Sequence, residues 1–391
     1  MGGRRLTSSI GYSDYGRMYF FDHLRTFIVL LVIIFHVAIG YMAKAPQWWY
    51  VVDTQKNGIF DLFVMNTDVF IMPAMFFIAG YFALPVLHKK GIGIFMREKF
   101  FRIVVPWLVG VLLFAPAITY MIWYSRTDSP PAYSDYLIKH FFTAATFNHA
   151  HYWFLGVLAW FFLLLACFYR FKPAAFQRNS AASTPSFRFF IQFGVVTALA
   201  FFVPNLFFHA DAWFSKWVLI SFQPTRLLLC GAYFTLGIYA WQNLWFTGNG
   251  YQPRVNHWSW SILLMLICFN SYRLSYSETA TVVLKAGHAF VHAFFCLAAV
   301  FWLLAVFQTY FDRKGTVLQP FSSHSYSIYY VHQLIVLPIA YLVQKLAISV
   351  WVKYFAVSFL AIIICLLVAG LVDRLVGAFN LNSKVIADQK L

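Results

Sequence analysis

Charge is what this sequence has least of. Only 11% of its 391 residues are Asp, Glu, Lys or Arg, and just 13 of them are acidic, against about 25% charged in a soluble domain. Too few polar groups are present to clothe a water-facing surface, so most of that surface has to face lipid. Cysteine is sparse as well. Cys167, Cys230, Cys268, Cys296 and Cys365 all lie inside apolar runs, with no CxxC pair and no metal-ligand spacing. They read as small core or lipid-facing residues and carry no message about redox compartment. No internal repeat and no second domain are visible, so residues 1–391 read as one domain. No cleavable signal is expected either. The run Phe27 to Tyr41 ahead of Ala43-Lys44-Ala45 imitates one, but it belongs to a full-length span that carries Arg25 and His36.

What is there is apolar and aromatic. The chain is 61% hydrophobic, with 46 Phe, 23 Tyr and 14 Trp, and its mean hydropathy is +0.69. Trp and Tyr suit the headgroup belts of a bilayer. A helical span needs about 20 mostly apolar residues. Ten such runs occur, at 20–43, 60–86, 101–124, 152–170, 189–208, 217–241, 257–273, 286–310, 325–344 and 351–377. The expected fold is an all-α polytopic membrane helix bundle of about ten transmembrane helices, with tails at 1–19 and 378–391. With the N-terminus inside, 18 of the 29 Lys and Arg fall in inside segments and 9 in outside loops. Both termini are therefore expected to be cytoplasmic. The net charge of +16 then reads as topology and contact with anionic lipid, and nucleic acid is not an expected partner. The loop 171–188 is polar and reads as a linker.

Ionisable groups inside spans are the informative feature. A charge near the bilayer centre costs at least about 2.5–3.5 kcal/mol, so such a group must face a cavity or a partner. In the first span Arg25 precedes His36 by eleven residues, which is about 20° past three full turns and a rise of about 16 Å. The two side chains point the same way, one near the cytoplasmic surface and one deep. Asp22 lies three residues before Arg25 and can pair with it. The bland reading is a polar seam between helices. Asp68 in the second span lies at a depth similar to His36 and could orient its imidazole, as carboxylates do for catalytic histidines. Pro73 follows and should kink that helix. Gln223 and Arg226 lie in the sixth span, where a buried Arg wants a carboxylate from Asp68 or from a substrate. His288 and His292 are four apart in the eighth span, a spacing that can hold a metal but that fits a polar cavity wall better. In the ninth, Tyr326, Tyr329 and His332 share a face, with His332 in the cytoplasmic half. Just outside the fourth, Asn148-His149-Ala150-His151-Tyr152-Trp153 reads as an outward polar and aromatic rim. Arg97, Lys99 and Arg102 open the third span ahead of Pro106, a cluster that enforces topology and could also hold phosphates.

These residues resemble the acyltransferase-3 family of membrane acyltransferases. The likeness rests on Tyr19-Phe20-Phe21-Asp22-His23-Leu24-Arg25 with its spacing to His36, and on Met72-Pro73-Ala74-Met75-Phe76-Phe77-Ile78-Ala79-Gly80-Tyr81. Lys99-Phe100-Phe101-Arg102 with Pro106, His151-Tyr152-Trp153-Phe154-Leu155 and Tyr329-Tyr330-Val331-His332 follow in the family's order. The first motif is specific and the others are individually weak; together they span essentially the whole chain. The form of the first span also looks like the branch of periplasmic glucan succinyltransferases. The resemblance implies a bacterial inner-membrane enzyme that takes an acetyl or succinyl group from cytoplasmic acyl-CoA to a carbohydrate hydroxyl at the outer face. Arg25 and His36 would be the essential pair and Lys99 to Arg102 would lie near the coenzyme A phosphates. Acyl-CoA would be a co-substrate with no permanently bound cofactor, and a glycan or glycolipid the acceptor; self-association as a homo-oligomer stays open. Where the family usually has Ser-Gly-Tyr this chain has Ala79-Gly80-Tyr81, so a hydroxyl role there is lost. No soluble esterase domain is expected after the spans.

Elementary chemistry fits the same reading. A hydroxyl is a weak nucleophile near neutral pH and needs a positioned base, a part that His36 suits. Arg25 or Arg226 could steady the oxyanion or hold an acyl carboxylate. Arg226, Tyr329, His332, His151, Trp153, His288 and His292 complete the candidate binding set. The rival readings are a proton-coupled secondary transporter, which would predict inverted repeats and broken helices, a non-catalytic scaffold, and a haem protein ligated by paired histidines.

Overall fold

The computed structural model describes residues 17–143, 147–275 and 281–388, without the side chains of 376–388. The N-terminal tail through residue 16 and the last three residues lie outside the described residues. Fourteen α-helices follow one another among those described. The first part of the chain holds α1 (Tyr19–Ile39), α2 (Gly58–Thr67), α3 (Ile71–Lys99), α4 (Val105–Val109), α5 (Ala115–Arg126) and the single turn α6 (Tyr133–Tyr136). Wider π-type turns at Phe100–Val104 and Gly110–Phe114 join α3, α4 and α5 into one run. Then come α7 (Trp153–Phe171), α8 (Phe187–Phe207), the short strands β1 (Phe214–Lys216) and β2 (Ile220–Phe222), and α9 (Pro224–Gln242). The chain ends with α10 (Val255–Ser275), α11 (Val282–Tyr310), α12 (Gln319–Ser322), α13 (Ser325–Gln344) and α14 (Val350–Asp388).

A helix stands at each of the ten expected positions. Among the described residues, seven helical stretches are long and apolar enough to cross a membrane; α9 and α10 are not among them, and Gly58–Arg126 counts as one stretch. That stretch is interrupted. Gly91 takes φ 74°, ψ 166°, a backbone that favours glycine. The Lys90 ammonium reaches Glu98 across it at 2.5 Å. Eight residues of straight helix would hold their Cα atoms about 12 Å apart, so the chain bends sharply there. The second and third expected runs are thereby separated.

Several boundaries differ from expectation. Residues 214–222 form an antiparallel hairpin with Ser215 opposite Ser221, and α9 begins only at Pro224. Arg226 therefore stands in the first turn of α9, not deep within a helix starting at 217. The break in the second expected run is at residues 68–70, with Pro73 inside the first turn of α3, where a missing N–H costs nothing. The C-terminal segment 378–388 continues α14 as helix.

Close backbone contact holds the centre together. A Cβ added at Gly80 would sit 2.0 Å from the Phe234 carbonyl oxygen, and one at Gly237 would sit 2.1 Å from that of Phe77. Small residues let helices pack this tightly where no hydrophobic drive exists between them. Gly80 is the glycine of the Ala-Gly-Tyr motif, and its role is steric. At the near end, where α1 begins, the turn after α11 receives it: the Phe20 N–H donates to Asp312 and His23 faces the Phe311 carbonyl. Exposed apolar side chains line α8, α10 and α14.

Candidate active site

The far end of α1, where that helix stops, brings three histidines into one layer. His36 lies in the last turn of α1, His332 in α13, and His151 just ahead of α7. α12, just ahead of α13, meets α1 at Thr26, whose hydroxyl lies 3.0 Å from that of Ser322. Ten residues further along both segments, His332 stands level with His36. The His36 and His332 rings stack with centroids 4.9 Å apart, and the His151 ring meets His332 edge-on at 4.4 Å. Trp49 covers the other side of His36, 5.4 Å away and 9° from parallel.

With both rings neutral, hydrogen bonds assign the tautomers. His332 Nδ1 lies 2.6 Å from the Tyr329 carbonyl oxygen, and its Nε2 lies 2.9 Å from His36 Nδ1. A carbonyl only accepts, so His332 Nδ1 carries the proton. The neutral ring then offers a lone pair at Nε2, which must accept from His36 Nδ1–H. His36 is left with its own lone pair on Nε2, the form a general base requires. This is the logic of a base oriented by a third group, with a neutral histidine as the orienting partner.

The third histidine is held rigidly. His151 Nδ1 is 3.0 Å from Gln333 Oε1 and its Nε2 is 3.3 Å from the Tyr330 carbonyl oxygen. A neutral ring satisfies both when Nε2–H donates to Tyr330 and the Gln333 amide turns its NH2 to Nδ1. The Tyr329 hydroxyl donates to the His151 carbonyl at 2.5 Å, and the Tyr152 hydroxyl to the Tyr330 carbonyl at 2.9 Å. His151 is thus buried beneath the surface, not part of an outward rim. Trp153 does stay in an aromatic group at the far end, 5.5 Å from Trp213. Ala150, beside His151, has φ 46°, and its N–H is held by Asn148 Oδ1 at 2.7 Å.

The expected Asp68–His36 pairing is not formed. Asp68 is the C-cap of α2 and gives its carboxylate to Arg226 at 2.5 Å. Arg226 also reaches Asp211 at 3.3 Å, and Arg273 meets Asp211 at 3.7 Å. Two cations and two carboxylates neutralise one another there, so the partner of Arg226 is internal. His288 and His292 are buried beside this group, with Phe201 4.4 Å from His292, and form part of its wall.

At the near end Arg25 pairs with Asp22 at 3.2 Å as the spacing requires, and its buried Nε has no hydrogen-bond partner. About 16 Å of helix rise separates it from His36, too far to steady an oxyanion formed there. The Lys99 ammonium lies 4.1 Å from the Phe162 ring centroid, a cation–π seat, while Arg97 and Arg102 are exposed. Tyr326 is exposed and its hydroxyl donates to the Arg102 carbonyl at 2.9 Å.

Sequence reasoning missed a second feature of the far end. Lys353 and Asp53 form an ion pair at 2.9 Å with side chains only 1% and 3% exposed. A lysine three residues into a span looks like one more loop cation in a topology count. Its one signal is that it falls within the apolar run 351–377.

Residues 18–370 match the acyltransferase-3 family, described as an acyltransferase domain. The chain is similar to glucans biosynthesis protein C of Shigella dysenteriae serotype 1, 29% identical over 144 residues, covering 36% of either chain. Its counterparts of the same name in Salmonella schwarzengrund and Salmonella typhi are 27% identical over 151 residues, again 36% of each. These matches span little more than a third of the relatives' own length. No solved structure matches.

Proposed function

The chain belongs to the acyltransferase-3 family, and from that premise we propose that it moves an acetyl or succinyl group from cytoplasmic acyl-CoA to a carbohydrate hydroxyl across a bacterial inner membrane. Ten crossings with both termini in the cytoplasm put the near end of α1 inside. The name of the relatives points to a glucan as the acceptor class. The observation that carries the reading is the series of contacts from the Tyr329 carbonyl through His332 to His36; with both rings neutral it assigns the free lone pair to His36 Nε2.

Coenzyme A carries several phosphate charges and stays at the inner surface, where the exposed Arg97 and Arg102 suit them. Arg25, with its orphan Nε–H, meets polar groups of the donor arm on its way along α1. At the far end the acceptor hydroxyl gives its proton to His36 Nε2 as its oxygen attacks the thioester carbonyl carbon. His332 accepts the hydrogen bond from His36 Nδ1–H throughout and spreads the charge of the imidazolium. The tetrahedral intermediate collapses, the C–S bond breaks, and the leaving thiolate takes the proton back from His36. The ester stays on the sugar and free coenzyme A remains inside. Arg226 has no part in this chemistry, since Asp68 and Asp211 consume its charge.

The test is thiol release from acetyl-CoA and succinyl-CoA by purified protein in detergent. His36→Ala, matched for abundance and folding, should lower the rate by about 10²–10⁴-fold, the range of a lost general base. Full activity in that variant would sink the assignment.

A further inference from the structure

A narrow cleft opens beside His36 at the far end of α1, with room at its depth for a single hydroxyl- or water-sized group. His36, Gly40, Tyr41, Trp49, Asp53 and Gln344 line its polar side. The loop after α1 folds back as a strap: the Asp53 N–H donates to the Gly40 carbonyl at 2.9 Å and the Asn57 N–H to the Tyr41 carbonyl at 3.0 Å. The strap thereby hangs Asp53 over the last turn of α1.

Two observations at this cleft have no structural explanation. The first is the buried Lys353–Asp53 pair. Desolvating two charges is costly, and such pairs are weak evidence for stability. All three ammonium protons are used, on Asp53 Oδ1 at 3.2 Å, Asp53 Oδ2 at 2.9 Å and the Gln344 carbonyl at 2.9 Å. Asp53 also accepts from the Gln55 N–H at 2.8 Å. A carboxylate has roughly four acceptor sites, so one remains. The second is Tyr41, 2% exposed, whose buried hydroxyl has no hydrogen-bond partner. Buried hydroxyls are normally satisfied, and an exception calls for an explanation.

We propose that Tyr41 and Asp53 form the acceptor subsite and that it takes a neutral, multiply hydroxylated molecule. This rests on the acyl-transfer reading above. A sugar hydroxyl is donor and acceptor at once. One hydroxyl of the acceptor accepts from Tyr41 and donates to the open site on Asp53, and this holds a neighbouring hydroxyl against His36 Nε2. The charge of Lys353 is cancelled by Asp53, so the cleft offers no spare cation for a uronic acid or a phosphate. Asp53 would repel either. Lys353 is a positioning residue that lets a carboxylate lie ionised in a dry wall.

The experiment measures acyl transfer from acetyl-CoA to a mixture of neutral gluco-oligosaccharides, with oligosaccharides of the matching uronic acid as comparison. Tyr41→Phe removes only an unpartnered hydroxyl, so folding survives. It should raise the KM for the neutral oligosaccharides about tenfold, the value of one hydrogen bond to a buried group, against a constant KM for acetyl-CoA. The double variant Asp53→Asn/Lys353→Met removes both charges together and should lower transfer to neutral acceptors by about a hundredfold. An unchanged acceptor KM in Tyr41→Phe overturns the subsite. Equal shifts in both KM values overturn it too, since they mark a structural role, as does preference of the wild type for the uronic acids. Thiol release that ignores loss of His36 strikes the underlying reading instead, and the subsite falls with it.

Discussion

A partly exposed cluster around Arg226 and the buried histidine layer are built on opposite principles. The Arg226 cluster holds formal charges that cancel: Asp68 and Asp211 face Arg226, and Asp211 also faces Arg273. The histidine layer holds neutral rings linked in series from the Tyr329 carbonyl to His332 to His36. Charges that cancel leave no net charge and tie helices together, although the buried Arg226 Nε–H has no hydrogen-bond partner. An open chain of neutral donors and acceptors ends in a lone pair that can take a proton. An ionisable group in a span announces that something faces it; whether the network closes decides whether it is cement or chemistry.

Substitution of one member on each side breaks the comparison most visibly. His36→Ala should lower turnover by about 10²–10⁴-fold and leave the melting temperature nearly unchanged. Asp68→Ala should do the reverse, because it leaves Arg226 with Asp211 alone. Breaking a fully buried pair costs about 3–5 kcal/mol. Asp68 is 33% exposed, so the loss should be below that range, read as a clear fall in melting temperature with activity per folded molecule retained. Comparable losses of activity in the two variants would erase the distinction between the clusters.

The next effect is smaller and sharpens the role of His332. His332→Leu removes the acceptor for His36 Nδ1–H, so the proton is free to move to Nε2 and the wrong tautomer is populated. Turnover should fall by about a hundredfold, within the range of general base catalysis. His332→Gln can place an amide oxygen to accept the same proton and should recover part of it. Donor KM should stay constant in both. Equal rates for Leu and Gln would show that packing, not the hydrogen bond, is what His332 supplies.

The sequence disclosed the helices and half of each cluster. Apolar runs are local, so α1, α7, α8, α11 and α13 lie where hydropathy puts them, and the Asp22–Arg25 pair follows from a spacing of three. Partners across the bundle are not local. Depth arithmetic set His36 against Asp68 because both were counted from span ends. It could not know that α12 meets α1 at Thr26 and so sets His332 of α13 at the level of His36. A hairpin at 214–222 was hidden because its residues are as apolar as a helix, and Trp, Val, Ile and Phe there favour strands. The Asp53–Lys353 pair escaped for a related reason: a strap brings a loop carboxylate to a helix 300 residues away.

The smallest effect tests whether the histidine layer is held under strain. Ala150 sits at φ 46° between two buried histidines, and a left-handed backbone costs an L-residue roughly 1–2 kcal/mol. Asn148 clamps its N–H, and the Tyr329 hydroxyl clamps the carbonyl of the next residue. Ala150→Gly removes the steric cost but loses more entropy on folding, about 0.5–1 kcal/mol. The net should be a gain of about 0.5–1 kcal/mol, a rise of one or two degrees in melting temperature. If the strain serves only to connect two helices, activity follows stability upward. If it sets the angle at which His151 meets His332, glycine loosens that contact, and turnover falls while the protein grows more stable. Strained residues persist where the surrounding structure over-determines them, and the two clamps on this segment favour the second outcome.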